Sequence, residues 1–178
     1  MLATTALHVA GKYEEIYPPD LKYLLAVTNG KVTKKEVLEM EFRILMGLQF
    51  NVTFPSALRF IERFGRLAQM NQKQVLLARY YADTALLDHY FVSERPSKIA
   101  AICVYAAQKI FKGAAAQGRP SALWNSTLAK HSGYAESDIR EIASDLHNYV
   151  KKVEQSSLKT IRRIYSTPKM LEVAKIIQ

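Results

Sequence analysis

The sequence predicts an all-α protein, and three observations support that fold class. No stretch alternates β-branched and polar residues between turn residues, which is the pattern of a half-buried strand. Apolar residues instead recur at spacings of three and four along most of the 178 residues, of which 49% are hydrophobic. The segment from Ile99 to Ile110 is apolar almost all round, as expected for a helix enclosed by others in a bundle.

Two helices are expected before residue 30. The first has an apolar stripe made of Leu2, Ala6, Val9, Ala10 and Tyr13. It must end before the proline pair 18–19, because proline neither donates a backbone hydrogen bond nor permits a helical residue before it. Asp20 can begin a second, short helix that runs to about Thr28 and stops at the turn pair Asn29-Gly30.

A third helix contains a carboxylate whose environment the pattern leaves open. Thr33 and Glu36 form a capping-box pattern that opens a helix running to about Leu48. Its apolar seam consists of Val37, Leu38, Ile44, Leu45 and Leu48. Glu41 falls inside this seam, where an unpaired carboxylate would cost several kcal/mol, or else lies at its edge and reaches water. Lys12 lies near the end of the first helix, where the helix dipole alone favours a cation.

The segment Phe54-Pro55-Ser56 interrupts the helical pattern and restarts it, so we place a domain boundary there. The restarted helix has Leu58, Ile61, Phe64 and Leu67 on one side. A longer helix is expected from about Gln72 to Tyr90, and Pro96-Ser97 begins the next. Residues 112–120 are rich in glycine and alanine and predict a loop.

The remainder of the chain is expected to be helical as well. One helix surrounds Trp124 and is closed by Gly133. The next has a clean amphipathic stripe made of Ile139, Ile142, Ala143, Leu146, Val150 and Val153. Two short basic helices follow, around Ser157–Tyr165 and Lys169–Ile177.

The net charge of +9 is concentrated toward the end of the chain, where the last 29 residues carry seven basic and two acidic side chains. Such a surface could attract nucleic acid, an anionic membrane or an acidic partner. Tyr149 and Tyr165 are the aromatic residues within or beside it, which is little for a base-stacking surface. We therefore favour a solvated basic face. No apolar run approaches the roughly 20 residues of a membrane span, so we expect no membrane partner.

The sequence offers no constellation of catalytic or metal-binding residues. Four histidines are present, and none has another histidine four positions away. The single cysteine, Cys103, lies on the apolar helix, where burial would keep its thiol unreactive. Neither a nucleophile-elbow motif nor a phosphate-binding glycine motif occurs. We expect a non-enzyme with no cofactor and no metal.

Several segments resemble the A/B-type mitotic cyclins. The most specific is VAGKYEEIYPPD, from Val9 to Asp20. The pattern continues with TKKEVLEME at 33–41, LQFNV at 48–52, SKIAAICVY at 97–105 and IRRIYS at 161–166. The resemblance covers nearly the whole chain. It implies a cyclin fold with a partial first box over residues 1–53, a complete second five-helix box over 54–166 and a basic helix over 167–178.

The resemblance also implies a function, that of a regulatory subunit that binds and activates a cyclin-dependent Ser/Thr kinase in G2/M control, in the nucleus and cytoplasm. Lys12 and Glu41 match the family residues that hydrogen-bond the kinase backbone. The positions that match apolar contacts are Val9, Tyr13, Leu45, Phe50 and Val52, with Glu15 as a further, weaker match. No specific nucleic-acid binding is expected.

One departure from the family pattern bears on this prediction. A first cyclin box has five helices, and this chain begins within the third, so we expect a fragment. Without the preceding helices, Leu2, Ala6 and Ala10 would meet water, which leaves apolar surface worth several kcal/mol unburied. The alternatives are a cyclin-fold nucleic-acid-binding or transcription-factor module, and an inert truncated cyclin fragment.

Overall fold

The computed structural model describes residues 1–112 and 123–177, and its regular elements over those ranges are all helical. The chain divides into two compact units, with the division between Phe54 and Pro55. In the first unit, the helices are α1 (Leu2–Glu14), α2 (Leu21–Val27) and α3 (Lys34–Gly47). In the second, they are α4 (Ala57–Leu67), α5 (Gln72–Ala85), α6 (His89–Val92), α7 (Pro96–Lys112), α8 (Ser126–Ser132), α9 (Glu136–Glu154) and α10 (Thr160–Tyr165).

The first unit begins its second and third helices where the capping residues predict. Asp20 accepts a hydrogen bond from the backbone N–H of Lys22 at 2.9 Å, at the start of α2. At the start of α3, the backbone N–H of Glu36 donates to Thr33 Oγ1 at 3.3 Å, and the backbone N–H of Thr33 donates to the Glu36 carboxylate at 2.8 Å. These hydrogen bonds satisfy backbone N–H groups at the helix starts that have no partner within their own helix. The predicted capping box is confirmed.

The face of α1 that packs on α3 differs from the predicted apolar stripe. Its buried residues are Thr5, His8 and Gly11, whereas Leu2, Ala6 and Ala10 of the stripe are exposed. A methyl group at Gly11 would lie 2.8 Å from Cδ of Pro19, so only glycine lets the chain fold back this closely onto the helix. The exposure of Leu2, Ala6 and Ala10 agrees with the expectation that these residues meet water.

The second unit is built around α7, as its all-round apolar character predicts. Residues 99–108 are buried, and the helix packs against α4, α5, α8 and α9. Its alanines allow these neighbours to approach closely. The bulkiest buried side chains around it include Ile61 and Phe64 on α4, Tyr81 on α5 and Leu146 on α9. One contiguous core thus holds this unit together.

Two predicted helices of the second unit have different boundaries in the structure. The helix expected over Gln72–Tyr90 ends at Ala85, and α6 begins separately because Asp88 accepts a hydrogen bond from the N–H of Tyr90 at 2.8 Å. Trp124 precedes α8 and donates from Nε1 to the carbonyl of Tyr134 at 2.9 Å. Gly133 closes α8 in the left-handed conformation, with φ of 76°, as predicted.

The C-terminal segment is less regular than predicted. The expected helix over Lys169–Ile177 is wrong: two 3₁₀ turns, Pro168–Met170 and Val173–Ile176, flank a pair of left-handed residues, Leu171 and Glu172. Val173, Ala174 and Ile177 are nevertheless buried, and the second turn packs on α5 and α10. Of the predicted loop at 112–120, residues 113–120 lie outside the described ranges.

Candidate protein-binding site

An ion pair between α1 and α3 lies at the centre of the candidate site in the first unit. Lys12, in the last turn of α1, contacts the carboxylate of Glu41, near the middle of α3. Glu41 is only 8% exposed, whereas the Lys12 side chain is 46% exposed. The sequence left open whether Glu41 reaches water at the edge of the seam. That alternative is wrong, because the carboxylate is buried and paired with the lysine.

A hydrogen bond attaches the end of α1 to the segment that follows α3. The Tyr13 hydroxyl donates to Thr53 Oγ1 at 2.8 Å, across 40 positions of sequence. Val52, next to Thr53, is half-buried, and Tyr13 remains largely exposed. Two residues predicted from the family resemblance, Tyr13 and Val52, are therefore held near one another. Thr53 was missed, because nothing in the sequence shows which threonine a distant tyrosine will contact.

The turn after α3 displays an aromatic side chain on a constrained backbone. Gln49 and Phe50 both have left-handed backbones, with φ of 51° and 56°. The N–H of Phe50 donates to the carbonyl of Leu45 at 2.8 Å, which closes the turn against the helix. A left-handed conformation costs roughly 1–2 kcal/mol for a residue with a side chain. Gln49 and Phe50 both incur this cost, and Phe50 is 60% exposed.

The remaining predicted residues lie on the same unit with different degrees of burial. Val9 on α1 and Leu45 on α3 are half-buried, so each shares its surface between packing and solvent. Glu15 follows α1 directly, and its N–H donates to the carbonyl of Gly11 at 3.0 Å. Its side chain is exposed, and among the described residues it makes no hydrogen bond or ion pair with the other predicted positions.

An open apolar face accompanies these residues on α3. Leu38, Phe42 and Met46 follow one another at intervals of four, and all three are exposed. Leu38 and Leu48 were predicted to belong to the apolar seam of α3, but both are exposed in the structure. Apolar rows of this kind are typical of surfaces that bind other polypeptides. The first unit thus combines a half-buried ion pair, an exposed phenyl ring and an exposed apolar row on α3.

The groups that could support chemistry elsewhere are placed for structural roles. Cys103 is fully buried, and burial raises the pKa of its thiol far above the usual range. Within residues 1–112 and 123–177 no three His, Cys, Asp or Glu side chains are grouped so that they could hold a metal ion. Over the same part of the chain, no helix combines the length and apolar character that crossing a bilayer requires.

Comparison with known proteins gives the same family over both units. A family model described as the cyclin N-terminal domain matches residues 1–53, and one described as the cyclin C-terminal domain matches residues 55–178. The chain is 32% identical to a G2/mitotic-specific cyclin-B of Dictyostelium discoideum over 99% of its length and 39% of the relative's. It is 36% identical to cyclin-A1-4 of Oryza sativa subsp. japonica, covering 98% of this chain and 49% of that protein.

A human relative matches to a similar extent. The chain is 30% identical to the G2/mitotic-specific cyclin-B2 of Homo sapiens over its whole length and 43% of the relative's. This chain therefore spans less than half the length of each of these three curated relatives.

Proposed function

The chain belongs to the cyclin family, with a partial N-terminal box and a C-terminal cyclin box, and from that premise we propose that it acts as a regulatory subunit. Its partner is a cyclin-dependent Ser/Thr protein kinase, which it binds and activates in G2/M control. The observation that carries the proposal is the placement of Lys12 and Glu41, together with the displayed Phe50 ring. The relatives named as G2/mitotic-specific cyclins lend it further support.

The physical basis of activation is capture of one conformation. A kinase whose regulatory helix and activation segment alternate between two arrangements is activated by a ligand that binds only one of them. The ligand must be stiff, because a surface that orders itself on binding spends part of the interaction energy on its own ordering. The capping box of α3, the Tyr13–Thr53 hydrogen bond and the close Gly11–Pro19 approach all stiffen the first unit.

Each predicted contact residue has a role that fits its burial. The ammonium of Lys12 is exposed enough to donate to a kinase carbonyl while it pairs with the buried Glu41. Phe50 can insert into an apolar pocket, and aromatic anchors of this kind contribute much of the binding energy at protein interfaces. Val9, Leu45 and Val52 contribute partly buried apolar area around it. The kinase supplies the phosphoryl-transfer groups, so the chain itself performs no catalysis.

The test is binding and activation of a purified cyclin-dependent kinase by the full chain, with histone phosphorylation as the readout. Lys12→Ala combined with Glu41→Ala is expected to weaken binding at least about tenfold, because it removes the two charged groups proposed to hydrogen-bond the kinase backbone, and a hydrogen bond to a charged group contributes about 1.5–3 kcal/mol. The matched control is Lys35→Ala combined with Glu39→Ala, which removes an exposed ion pair from the same helix α3. Binding by the control is expected to equal that of the unmodified chain.

A second variant separates loss of binding from loss of folding. Phe50→Ala removes an exposed ring and leaves the core untouched, so the helical content and thermal unfolding should not change. Its affinity for the kinase is expected to fall by a factor of ten or more. Full activity of both the Lys12/Glu41 variant and the Phe50 variant would contradict the assigned site. Absence of any kinase binding by the folded, unmodified chain would contradict the proposed function for this chain.

A further inference from the structure

The second unit contains a groove between α7 and α9 that is lined by polar side chains capable of binding an anion. The groove has a volume of about 420 Å³. Its lining residues are Ala106, Lys109, Ile110, Ala143, Ser144, His147 and Asn148. Apolar residues form its base, and the groups that line its polar side are an ammonium, an imidazole, a hydroxyl and an amide. No acidic side chain lines it.

The imidazole is held in one orientation from inside the core. The hydroxyl of Tyr81, a fully buried residue of α5, lies 2.7 Å from Nδ1 of His147. Burial raises the pKa of the Tyr81 hydroxyl far above its usual range, so the tyrosine keeps its proton. Among the described residues, Nδ1 of His147 is the acceptor that this buried hydroxyl reaches, so we assign the hydroxyl as the donor and Nδ1 as the acceptor. A neutral imidazole that accepts at Nδ1 carries its own hydrogen at Nε2. His147 is therefore set to donate from Nε2.

The lining of the groove includes one cation, Lys109, and no carboxylate. Burial and the charges of Lys151 and Lys109 lower the pKa of His147. Helix α7 carries no acidic residue, and of the five acidic residues on α9, Glu136 is engaged by Arg140 and Tyr105. Glu141 and Asp145 are near Ser144 in the sequence of α9 but do not line the groove. An anion in the groove would thus meet the ammonium of Lys109 with no carboxylate in the lining.

The lysine that faces the groove is only loosely engaged. Its Nζ donates to Ser144 Oγ at 3.4 Å, which is long for a hydrogen bond, and the serine hydroxyl donates in turn to the carbonyl of Arg140 at 3.2 Å. Lys109 can therefore turn toward a ligand with little loss. The side chain of Asn148, one helical turn from Ser144, supplies a further N–H donor.

We propose that the groove between α7 and α9 binds a phosphorylated side chain, whose phosphate accepts hydrogen bonds from Lys109 and His147, with Ser144 and Asn148 as additional partners. A phosphate monoester suits this set because it carries nearly two negative charges and three acceptor oxygens. The groove is also of the size that holds a ligand larger than a single ion, so it has room for the linking side chain and adjacent backbone. Phosphate alone is expected to bind at the same place more weakly.

The test is an NMR titration of the full, isotope-labelled chain with a short peptide that has phosphoserine at its centre and glycine or alanine elsewhere. The same peptide with serine, and inorganic phosphate alone, form the other two arms. Chemical-shift changes are expected at Lys109, Ser144 and His147 with the phosphopeptide, smaller affinity with phosphate, and no change with the serine peptide. Equal binding of the serine peptide, or shift changes centred elsewhere, would overturn the proposal.

A charge-matched pair of variants distinguishes a site from general attraction to a basic protein. Lys109→Gln is expected to weaken phosphopeptide binding about tenfold, the size expected for losing one hydrogen bond to a charged group. Lys73→Gln removes the same charge from an exposed position at the start of α5 and is expected to leave binding unchanged. If both variants lose affinity equally, the attraction is nonspecific and the site does not exist.

The role of Tyr81 as a positioning residue can be tested through the tautomer of His147. Ring-nitrogen NMR of the unmodified chain should show His147 as the Nε2–H tautomer at neutral pH. Tyr81→Phe keeps the ring packed but removes the hydroxyl, so the tautomer population should shift and phosphopeptide binding should weaken. An unchanged tautomer and unchanged affinity in this variant, with folding retained, would contradict the orientation assigned to the imidazole.

Discussion

Substitution of Lys12 measures how much the Lys12–Glu41 ion pair stabilises the first unit. Lys12→Ala leaves the Glu41 carboxylate, in a residue only 8% exposed, without its cation. Breaking a fully buried pair costs about 3–5 kcal/mol, and an exposed pair contributes less than about 1 kcal/mol. Because the lysine is half exposed and water can replace it in part, we expect a loss of about 2 kcal/mol. Native-state hydrogen exchange of the α3 amides measures this loss within the first unit.

A double-mutant cycle checks the reasoning behind that figure. Its single variants are Lys12→Met, which leaves the carboxylate unpaired as Lys12→Ala does, and Glu41→Leu, which leaves an exposed lysine that water solvates. Lys12→Met with Glu41→Leu replaces the pair by apolar side chains. The double variant is therefore expected to be close to the unmodified chain in stability, or above it. The coupling between the two positions should be about 1–2 kcal/mol. If Lys12→Ala changes the exchange of α3 by less than about 0.5 kcal/mol, the pair does not stabilise the α1–α3 contact.

Three further predictions follow from particular contacts. Gly11→Ala should destabilise the first unit, because its methyl would lie 2.8 Å from Pro19 Cδ, and faster exchange of the α1 amides would record it; unchanged exchange would contradict it. His147 has a pKa lowered from about 6.5, so the unfolded chain binds the proton more readily and stability should fall as pH drops below about 6.5. His147→Gln should flatten that limb of the stability–pH curve, and an unaltered limb would assign the pH dependence to other groups. Binding to duplex DNA should be weak and nonspecific at physiological salt, and tight, sequence-specific binding would favour the nucleic-acid alternative.

The helices that the sequence predicted well are those whose ends carry their own chemistry. Thr33 with Glu36, and Gly133, use local hydrogen bonds or a local backbone preference that are readable from a few neighbouring letters. The all-round apolar character of residues 99–108 likewise predicted a buried helix without knowledge of the helices that pack around it. Local signals of this kind depend little on tertiary context, so the predictions based on them were correct.

The errors arose where tertiary packing overrode local pattern. The apolar stripe of α1 does not mark its buried face, which consists of Thr5, His8 and Gly11; at Gly11 the close approach of Pro19 leaves no room for a side chain. The helix expected to reach Tyr90 stops at Ala85, since Asp88 caps a new helix instead. Asp88 is a typical helix-capping residue, but the apolar pair Leu86-Leu87 before it continues the spacing of a helix.

The C-terminal segment failed for a related reason. Its apolar spacing resembles that of a helix, yet Leu171 and Glu172 adopt left-handed backbones between two 3₁₀ turns. That arrangement lets Val173, Ala174 and Ile177 reach the core beside α5. Burial of these side chains compensates for the backbone strain, and only a structure of the whole unit reveals that balance.

The candidate site was predictable only in part. Spacing alone raised the question of a buried Glu41, and the family resemblance drew attention to Lys12 and Phe50. The ion pair joins Lys12 to Glu41, 29 positions apart, and the hydrogen bond joins Tyr13 to Thr53, 40 positions apart. Neither contact has a local signal in the sequence. Long-range pairs of this kind require the packing of α1 on α3 to be known first.

Hydrogen–deuterium exchange of the full chain, with and without a purified cyclin-dependent kinase, tests the central claim most directly. Bound kinase should protect the end of α1 around Lys12, the middle of α3 around Glu41, and the turn at Phe50. The second unit should show little change around α9, because the residues assigned to kinase contact all belong to the first unit. Docking of the kinase on the first unit would be contradicted if protection were confined to the second unit. In that case the amides around Lys12, Glu41 and Phe50 would exchange as fast as in the isolated chain.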